Sequence, residues 1–154
     1  MDDIHQGLDL SYSLEGRLLA FDFGYRYIGV AVGQTITCTA SALGIIEALG
    51  EEPNWEVIAS YVRQWNPVAL VVGFPLDMKD NLTPITLAAR NFALELKKRF
   101  QKPVFLMDER LTSNAAKERL KEAGVYKKNP RQRLDAVSAQ IILESWLHEY
   151  GAKD

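Results

Sequence analysis

The stretch Leu18-Leu19-Ala20-Phe21-Asp22-Phe23-Gly24 places a single carboxylate at the end of an apolar run. The run predicts a buried β-strand, and ionised carboxylates are seldom buried without a partner because leaving water costs several kcal/mol. Gly24 then allows the chain to turn or to approach another group closely. Asp22 is therefore a candidate for a carboxylate directed at a metal ion or a phosphate, with a role in a cap or turn as the alternative.

The elements that follow this strand predict an α/β fold. Residues 17–24, 28–34 and about 36–47 are rich in β-branched and aromatic residues, and the short turns between them favour a three-stranded antiparallel meander. Helices and strands then alternate: a helix from Asn54 to about Asn66, a strand over 68–73, a helix from Thr83-Pro84, a strand over 103–107, a helix from Thr112 to Gly124 and a last helix over about 131–149. The order βββαβαβαα predicts a mixed five-stranded sheet with helices on both faces.

Length and composition are those of one globular domain. The chain has 154 residues, of which 47% are hydrophobic and 25% are charged, and this length suffices for one sizeable core. The single cysteine, Cys38, excludes an internal disulfide, and no Cys/His cluster indicates zinc. No apolar stretch reaches the ~20 residues of a membrane span, and the N-terminus lacks the pattern of a secretory signal. We therefore expect a cytoplasmic protein with one domain over residues 17–154.

Residues 1–16 differ in charge from the rest of the chain. They carry four acidic residues and no Lys or Arg, so we expect a flexible acidic extension, with a short added strand as the alternative. Subtracting those four from the 20 acidic residues leaves 16 against 18 Lys and Arg, a net charge of +2 for residues 17–154. That small excess neither requires nor excludes a nucleic acid partner.

The last helix carries an acidic residue on its apolar face. On a wheel of about 100° per residue, Ala139, Ile142, Trp146 and Tyr150 lie within about 60° of Asp135. The opposite side carries Gln140, Glu144 and His148. Favourable placement in the helix dipole is the alternative explanation, but it would serve equally well on the solvent side. Asp135 is therefore a candidate functional residue.

Asp108 and Glu109 follow a predicted strand in the same way as Asp22 does. Sheets of this class place their sites beyond the carboxyl ends of central strands, so one of these acids is expected to face the same crevice as Asp22. Only one of two adjacent residues can point to a given face of an extended chain.

Three carboxylates in one crevice repel one another. Two unit charges ~4 Å apart cost about 4 kcal/mol at an effective dielectric constant of about 20, so either one carboxyl group stays protonated or a cation is present. Oxygen ligands favour a hard divalent ion, Mg²⁺ or Mn²⁺. Carboxylates with such ions, and without a covalent nucleophile, are typical of hydrolysis at phosphorus, in which the metal activates a water molecule.

Basic residues flank these acids. Arg26 follows the turn after Asp22, and Arg110 follows Glu109. The segment before Asp135 carries four cations, Lys127, Lys128, Arg131 and Arg133. Such a segment predicts a mobile loop that contacts phosphates, with a solvated loop as the alternative.

Taken together, the motifs resemble those of the YqgF family, also called RuvX. The resemblance covers about residues 17–150, with motifs in the family's order over 21–32, 71–76, 108–113, 135–139 and 142–147. It implies a ribonuclease H-like fold, similar to that of Holliday-junction resolvases. It also implies a metal-dependent endonuclease that processes the 5′ end of pre-16S ribosomal RNA.

The resemblance also implies roles for individual residues. It makes Asp22, Glu109 and Asp135 the catalytic, metal-binding carboxylates, makes Asp108 secondary, and places Arg26, Arg110 and Thr112 beside the substrate. The chain departs from the family pattern at Tyr27, where a basic residue is frequent, at Asp77, where Asn is usual, and at Asp80-Asn81, where Asp-Gly is usual. None of these departures touches the three acids.

Residues alone leave several functions open. The first hypothesis is a nuclease acting on structured RNA, and the nearest variant is a resolvase of branched DNA, which would need a dimer to present two sites. A non-catalytic nucleic-acid-binding or ribosome-assembly factor is a third. A phosphate-binding ATPase that needs two similar domains does not fit 154 residues. Neither the choice between RNA and DNA nor the oligomeric state follows from the sequence.

Overall fold

A six-stranded mixed sheet forms the centre of the structure, a computed structural model that describes residues 4–6, 14–75, 79, 81–109 and 130–152. The strands, in chain order, are β1 (Ile4–Gln6), β2 (Arg17–Asp22), β3 (Tyr27–Gln34), β4 (Thr39–Glu47), β5 (Ala69–Phe74) and β6 (Val104–Asp108). The described helices are α1 (Trp55–Trp65), α2 (Pro84–Phe100) and α3 (Pro130–Ala152). The helix predicted from Thr112 to Gly124 lies outside the described residues.

The strands lie in the order β1-β6-β5-β2-β3-β4. Strands β2, β3 and β4 pair antiparallel, whereas β2–β5, β5–β6 and β1–β6 pair parallel. The predicted α/β fold with its antiparallel meander is therefore confirmed, and the five predicted strands are β2 to β6 of the mixed sheet. The sixth strand, β1, pairs with the outer edge of β6. It corresponds to the short added strand predicted as the alternative to a flexible extension.

Alternate residues of the central strands pack against different helices. Leu19 and Phe21 belong to a core with α1 and α2, which includes Phe92. Leu18 and Ala20 belong to a second core with α3, which includes Trp146. Because successive side chains of a strand point to opposite faces, Asp22 lies on the α3 face and Phe23 on the α1–α2 face. Strands covered on both faces in this way read as continuous apolar runs.

Local capping explains where α1 and α2 begin. The Asn54 side chain accepts a hydrogen bond of 3.3 Å from the Val57 backbone N–H. Thr83 and Thr86 form a capping box, and Pro84 occupies the first turn, where its missing N–H costs nothing. The Thr86 hydroxyl also donates to the Pro75 carbonyl and so ties the start of α2 to the end of β5. Both predicted helix starts are confirmed.

Helix α3 is buried on more than the side that faces the sheet. Asp135 shares the inner face with buried residues such as Ala139 and Trp146, as predicted. Glu144 is also buried, with an exposed fraction of 6%, although the helical wheel places it on the outer side. A wheel identifies which side contacts the sheet but not whether the other side reaches water. Within the described residues, no helix is long and apolar enough to span a membrane.

Candidate carboxylate site

The carboxylate site, defined by Asp22, Glu109 and Asp135, lies at the carboxyl end of the central strands on the α3 face. Asp22 ends β2, Glu109 follows β6 directly, and β5 lies between those two strands. Gly73 of β5 makes room for the glutamate. A Cβ atom added at Gly73 would lie 3.2 Å from both Cδ and Oε2 of Glu109. The Glu109 carboxylate therefore rests against the backbone of the strand next to Asp22.

Asp135 is brought to the site by an unusually close approach of α3 to the sheet. A Cβ atom added at Gly29 of β3 would overlap the backbone carbonyl of Asp135. Gly29 is the residue paired with Asp22 in the β2–β3 ladder. The helix therefore crosses the sheet directly beside Asp22, and only glycine allows that approach.

The three acids interact electrostatically. Burial raises the pKa of Asp22 from 3.8 to about 8, and the charges of Glu109 and then Asp135 contribute to the rise. In the absence of a cation, Asp22 is therefore mostly protonated at neutral pH. This is one of the two ways in which such a cluster can relieve its repulsion.

The chemistry of the donor set fits a hard divalent ion, since Asp22, Glu109 and Asp135 offer only carboxylate oxygens. A divalent charge would replace the Asp22 proton and offset the repulsion that raises the pKa of Asp22. As they stand, no three His, Cys, Asp or Glu side chains in the described part of the chain are close enough to enclose a metal ion. The carboxylates would have to move closer together to share one.

The structure also separates the two adjacent acids after β6. Asp108 is in register with Phe74, whose side chain belongs to the α1–α2 core, whereas Glu109 contacts Gly73 beside Ile142 of α3. Asp108 therefore lies on the face opposite the carboxylate site. The choice of Glu109 over Asp108, implied by the family resemblance, agrees with this placement.

The structure describes only some of the residues predicted to contact the nucleic acid. Arg26 is exposed in the turn after Asp22, and its Cζ atom lies 5.6 Å from the centroid of the Tyr27 ring. Arg131 and Arg133 belong to the start of α3. Four other predicted residues lie outside the described residues: Arg110, Thr112, Lys127 and Lys128. The same is true of Asp77 and Asp80.

Sequence reasoning missed the two glycines that shape the site. Gly29 and Gly73 lie within the motifs over 21–32 and 71–76, but neither is among the predicted site residues. In the structure both residues lie within strands and admit Asp135 and Glu109, respectively. A glycine inside a strand is a known sign of close approach by another group.

Comparison with known proteins agrees with this fold and shows the family. A family model described as "RuvX: Holliday junction resolvase" matches residues 16–149. A Legionella pneumophila (strain Paris) protein named "Putative pre-16S rRNA nuclease" is 48% identical over 134 residues, which cover 87% of this chain and 96% of that protein. A protein of the same name from Actinobacillus pleuropneumoniae serotype 5b (strain L20) is 47% identical over 129 residues, with coverage of 84% and 94%.

Solved structures with low sequence identity share the fold. Thermus thermophilus RuvC in complex with a Holliday junction substrate matches with a TM-score of 0.60 at 17% identity, covering 89% of this chain and 95% of that chain. The fowlpox virus Holliday junction resolvase matches with a TM-score of 0.54 at 14% identity, with coverage of 87% and 99%. The chain therefore has the ribonuclease H-like fold of these resolvases.

Proposed function

Because this chain belongs to the RuvX family, we propose that it is a metal-dependent endonuclease that hydrolyses phosphodiester bonds at the 5′ end of pre-16S ribosomal RNA. The observation that carries the proposal is the placement of Asp22, Glu109 and Asp135, whose mutual repulsion contributes to the raised pKa of Asp22. Close relatives over most of the chain bear the name of a pre-16S rRNA nuclease. The cell compartment that fits this role is the cytoplasm.

The chain's own residues would perform three tasks in this reaction. Asp22, Glu109 and Asp135 would hold Mg²⁺ or Mn²⁺, which supplies the charge that activates water and stabilises the leaving oxygen. Gly29 and Gly73 set the positions of two of these acids through contacts with the sheet. Asp22, mostly protonated without a cation, would give up its proton when the ion binds.

Positive charge close to the site would hold the nucleic acid backbone. Arg26 lies four residues after Asp22 and is exposed. Lys127, Lys128, Arg131 and Arg133 precede Asp135, and Arg110 and Thr112 follow Glu109 closely in sequence. Contacts of this kind bind phosphates without regard to sequence, so they would set affinity and orientation rather than the position of the cut.

A nuclease specific for branched DNA is the second candidate. The description of the matching family and the fold of RuvC favour it. A factor that binds RNA without cutting it would share the same fold and basic residues, but it would not need the three acids.

One cleavage assay separates these functions. Labelled pre-16S RNA and a four-way DNA junction are each incubated with the protein and Mg²⁺ or Mn²⁺, beside the variants Asp22→Asn and Asp135→Asn. Glu56→Gln, an exposed change in the first turn of α1, is the control. We expect metal-dependent cleavage of the RNA that both Asn variants lose and the control retains. Cleavage of the junction alone would replace the RNA assignment, and binding without cleavage would refute catalysis.

A further inference from the structure

A second concave surface lies on the face of the sheet opposite the carboxylate site. This aromatic–acidic groove has a volume of about 500 Å³, within the range of ~300–1,000 Å³ typical of ligand-binding clefts. Its aromatic lining includes Phe23, Trp55 and Phe92, and its acidic lining consists of Glu51, Glu52 and Glu95. Phe23 follows Asp22 directly but packs with the α1–α2 core. The groove and the carboxylate site are therefore close in sequence and separate in space.

The aromatic rings of the groove form one continuous cluster. Trp55 stacks on Phe92 with centroids 5.4 Å apart and planes inclined by 25°. Phe23 contacts Phe92 at 5.2 Å and Tyr25 at 5.9 Å. Tyr25 stands at the open end of this cluster with 61% of its surface exposed. The groove therefore presents the ring of Tyr25 to a ligand from outside.

The chain itself already places a guanidinium group in this groove. The Cζ atom of Arg99 lies 4.3 Å from the centroid of the Trp55 ring. The Nε atom of Arg99 donates to Oε1 of Glu95 over 2.9 Å. An aromatic face and a carboxylate together are the usual partners of a planar guanidinium. This wall of the groove therefore shows that an aromatic ring and a carboxylate of the groove can hold a guanidinium group.

The remaining part of the groove repeats the same chemistry. Tyr25 supplies an exposed ring, and Glu51 and Glu52 are exposed carboxylates in the same lining. Neither glutamate forms an ion pair with any residue among those that the structure describes. Three glutamates against one arginine give the lining a net charge of −2. That charge repels a phosphate backbone and attracts a cation.

We propose that the aromatic–acidic groove binds an arginine side chain of a protein partner. The guanidinium stacks on the Tyr25 ring. Its N–H groups donate charge-assisted hydrogen bonds to the carboxylates of Glu51 and Glu52. Since the groove and the carboxylate site lie on opposite faces of the sheet, a partner can bind while nucleic acid occupies the other face. The inference does not depend on the nuclease assignment.

A peptide titration tests this proposal on the full chain. The probe is an acetylated and amidated Gly-Arg-Gly-Arg-Gly peptide, and its match has citrulline, a neutral group of nearly the same shape, in place of arginine. Calorimetry up to millimolar peptide compares the wild type, Tyr25→Ala and the double variant Glu51→Gln/Glu52→Gln. Glu56→Gln is the control, because Glu56 is exposed on α1 but does not line the groove. Thermal unfolding of each variant confirms that it is folded.

We expect the arginine peptide to bind and the citrulline peptide to bind at least about tenfold more weakly, as the loss of a charge-assisted hydrogen bond predicts. The double variant and Tyr25→Ala should each weaken arginine binding, whereas the control should not. RNA cleavage by the double variant should equal that of the wild type. Absence of arginine binding, equal binding of both peptides, or unchanged affinity in the double variant would overturn the proposal.

Discussion

Replacing Asp22 by asparagine should stabilise the metal-free protein at high pH and should abolish cleavage. The pKa of Asp22 is 3.8 in a model peptide and about 8 in the fold. Between these values the folded protein holds a proton that the unfolded chain has released. The free energy of unfolding of the wild type therefore falls as the pH rises through this window.

The size of the effect follows from the pKa difference. A full unit of pKa difference corresponds to about 1.36 kcal/mol, so raising the pH from about 5 to about 8 should cost the wild type roughly 4 kcal/mol through this one group. Because asparagine carries no ionisable proton, the free energy of unfolding of Asp22→Asn does not contain this pH-dependent loss. The variant should therefore be more stable than the wild type at the higher pH, an instance of stability gained where function is given up.

Urea unfolding in the presence of a chelator measures this difference. The wild type, Asp22→Asn and a control, Glu47→Gln at the exposed end of β4, are compared at the two pH values. We expect the stability of Asp22→Asn relative to the wild type to grow by roughly 4 kcal/mol between them, and that of the control to stay constant. If the wild type and Asp22→Asn lose the same free energy as the pH rises, the electrostatic description of the site is wrong.

Three further changes test other parts of the account. Gly29→Ala should lower the free energy of unfolding by about 3 kcal/mol or more, because the added Cβ overlaps the backbone of Asp135, which cannot move alone. Chemical denaturation measures this loss, and a loss no greater than that of Gly50→Asn, where a Cβ meets open space, would contradict the prediction. Gly73→Ala should reduce the cleavage rate about tenfold or more with a stability loss below about 2 kcal/mol, because the new methyl group would lie 2.6 Å from Cδ1 of Ile142 and 3.2 Å from the Glu109 carboxylate, and both are ends of side chains that can shift where backbone cannot. Single-turnover kinetics and denaturation distinguish this from simple unfolding. Arg26→Ala should weaken binding of RNA similarly for all sequences and reduce the slope of log affinity against log salt by about 0.7–0.9; an unchanged slope would remove Arg26 from the phosphate contacts.

The fold was predictable where local patterns decide it. The apolar runs before Asp22 and Gly73 are strands because both of their faces are covered by helices. Asn54 and Thr83 mark helix starts through hydrogen bonds that their own side chains accept. In contrast, Ile4–Gln6 carries no strand pattern of its own, and it pairs with β6 about a hundred residues later in the chain. Such an edge pairing depends on contacts that a local pattern does not contain.

For the candidate site, the sequence pattern indicated Asp22, Asp135 and one of Asp108 and Glu109, and the family resemblance implied Glu109, but the packing around these acids was not predictable. Asp135 could be predicted to face inward because it lies on the same side of its helix as Ile142 and Trp146, and both are buried. The contact of α3 with Gly29 and of Glu109 with Gly73 joins distant segments, so no local pattern reports it. The aromatic–acidic groove was not predicted for the same reason, since its lining comes from the turn after β2, the segment before α1, the first residue of α1, and α2.

The most direct test of the central claim is whether Asp22 exchanges its proton for a divalent ion. Titration calorimetry with Mg²⁺ at about pH 7, in two buffers of different ionisation enthalpy, reports both the affinity and the protons released. With a pKa of about 8 for Asp22, binding should release about nine-tenths of a proton, and Asp22→Asn should abolish the tight site. Binding without proton release, or Mg²⁺ affinity unchanged in Asp22→Asn, would contradict a metal site built on these three carboxylates.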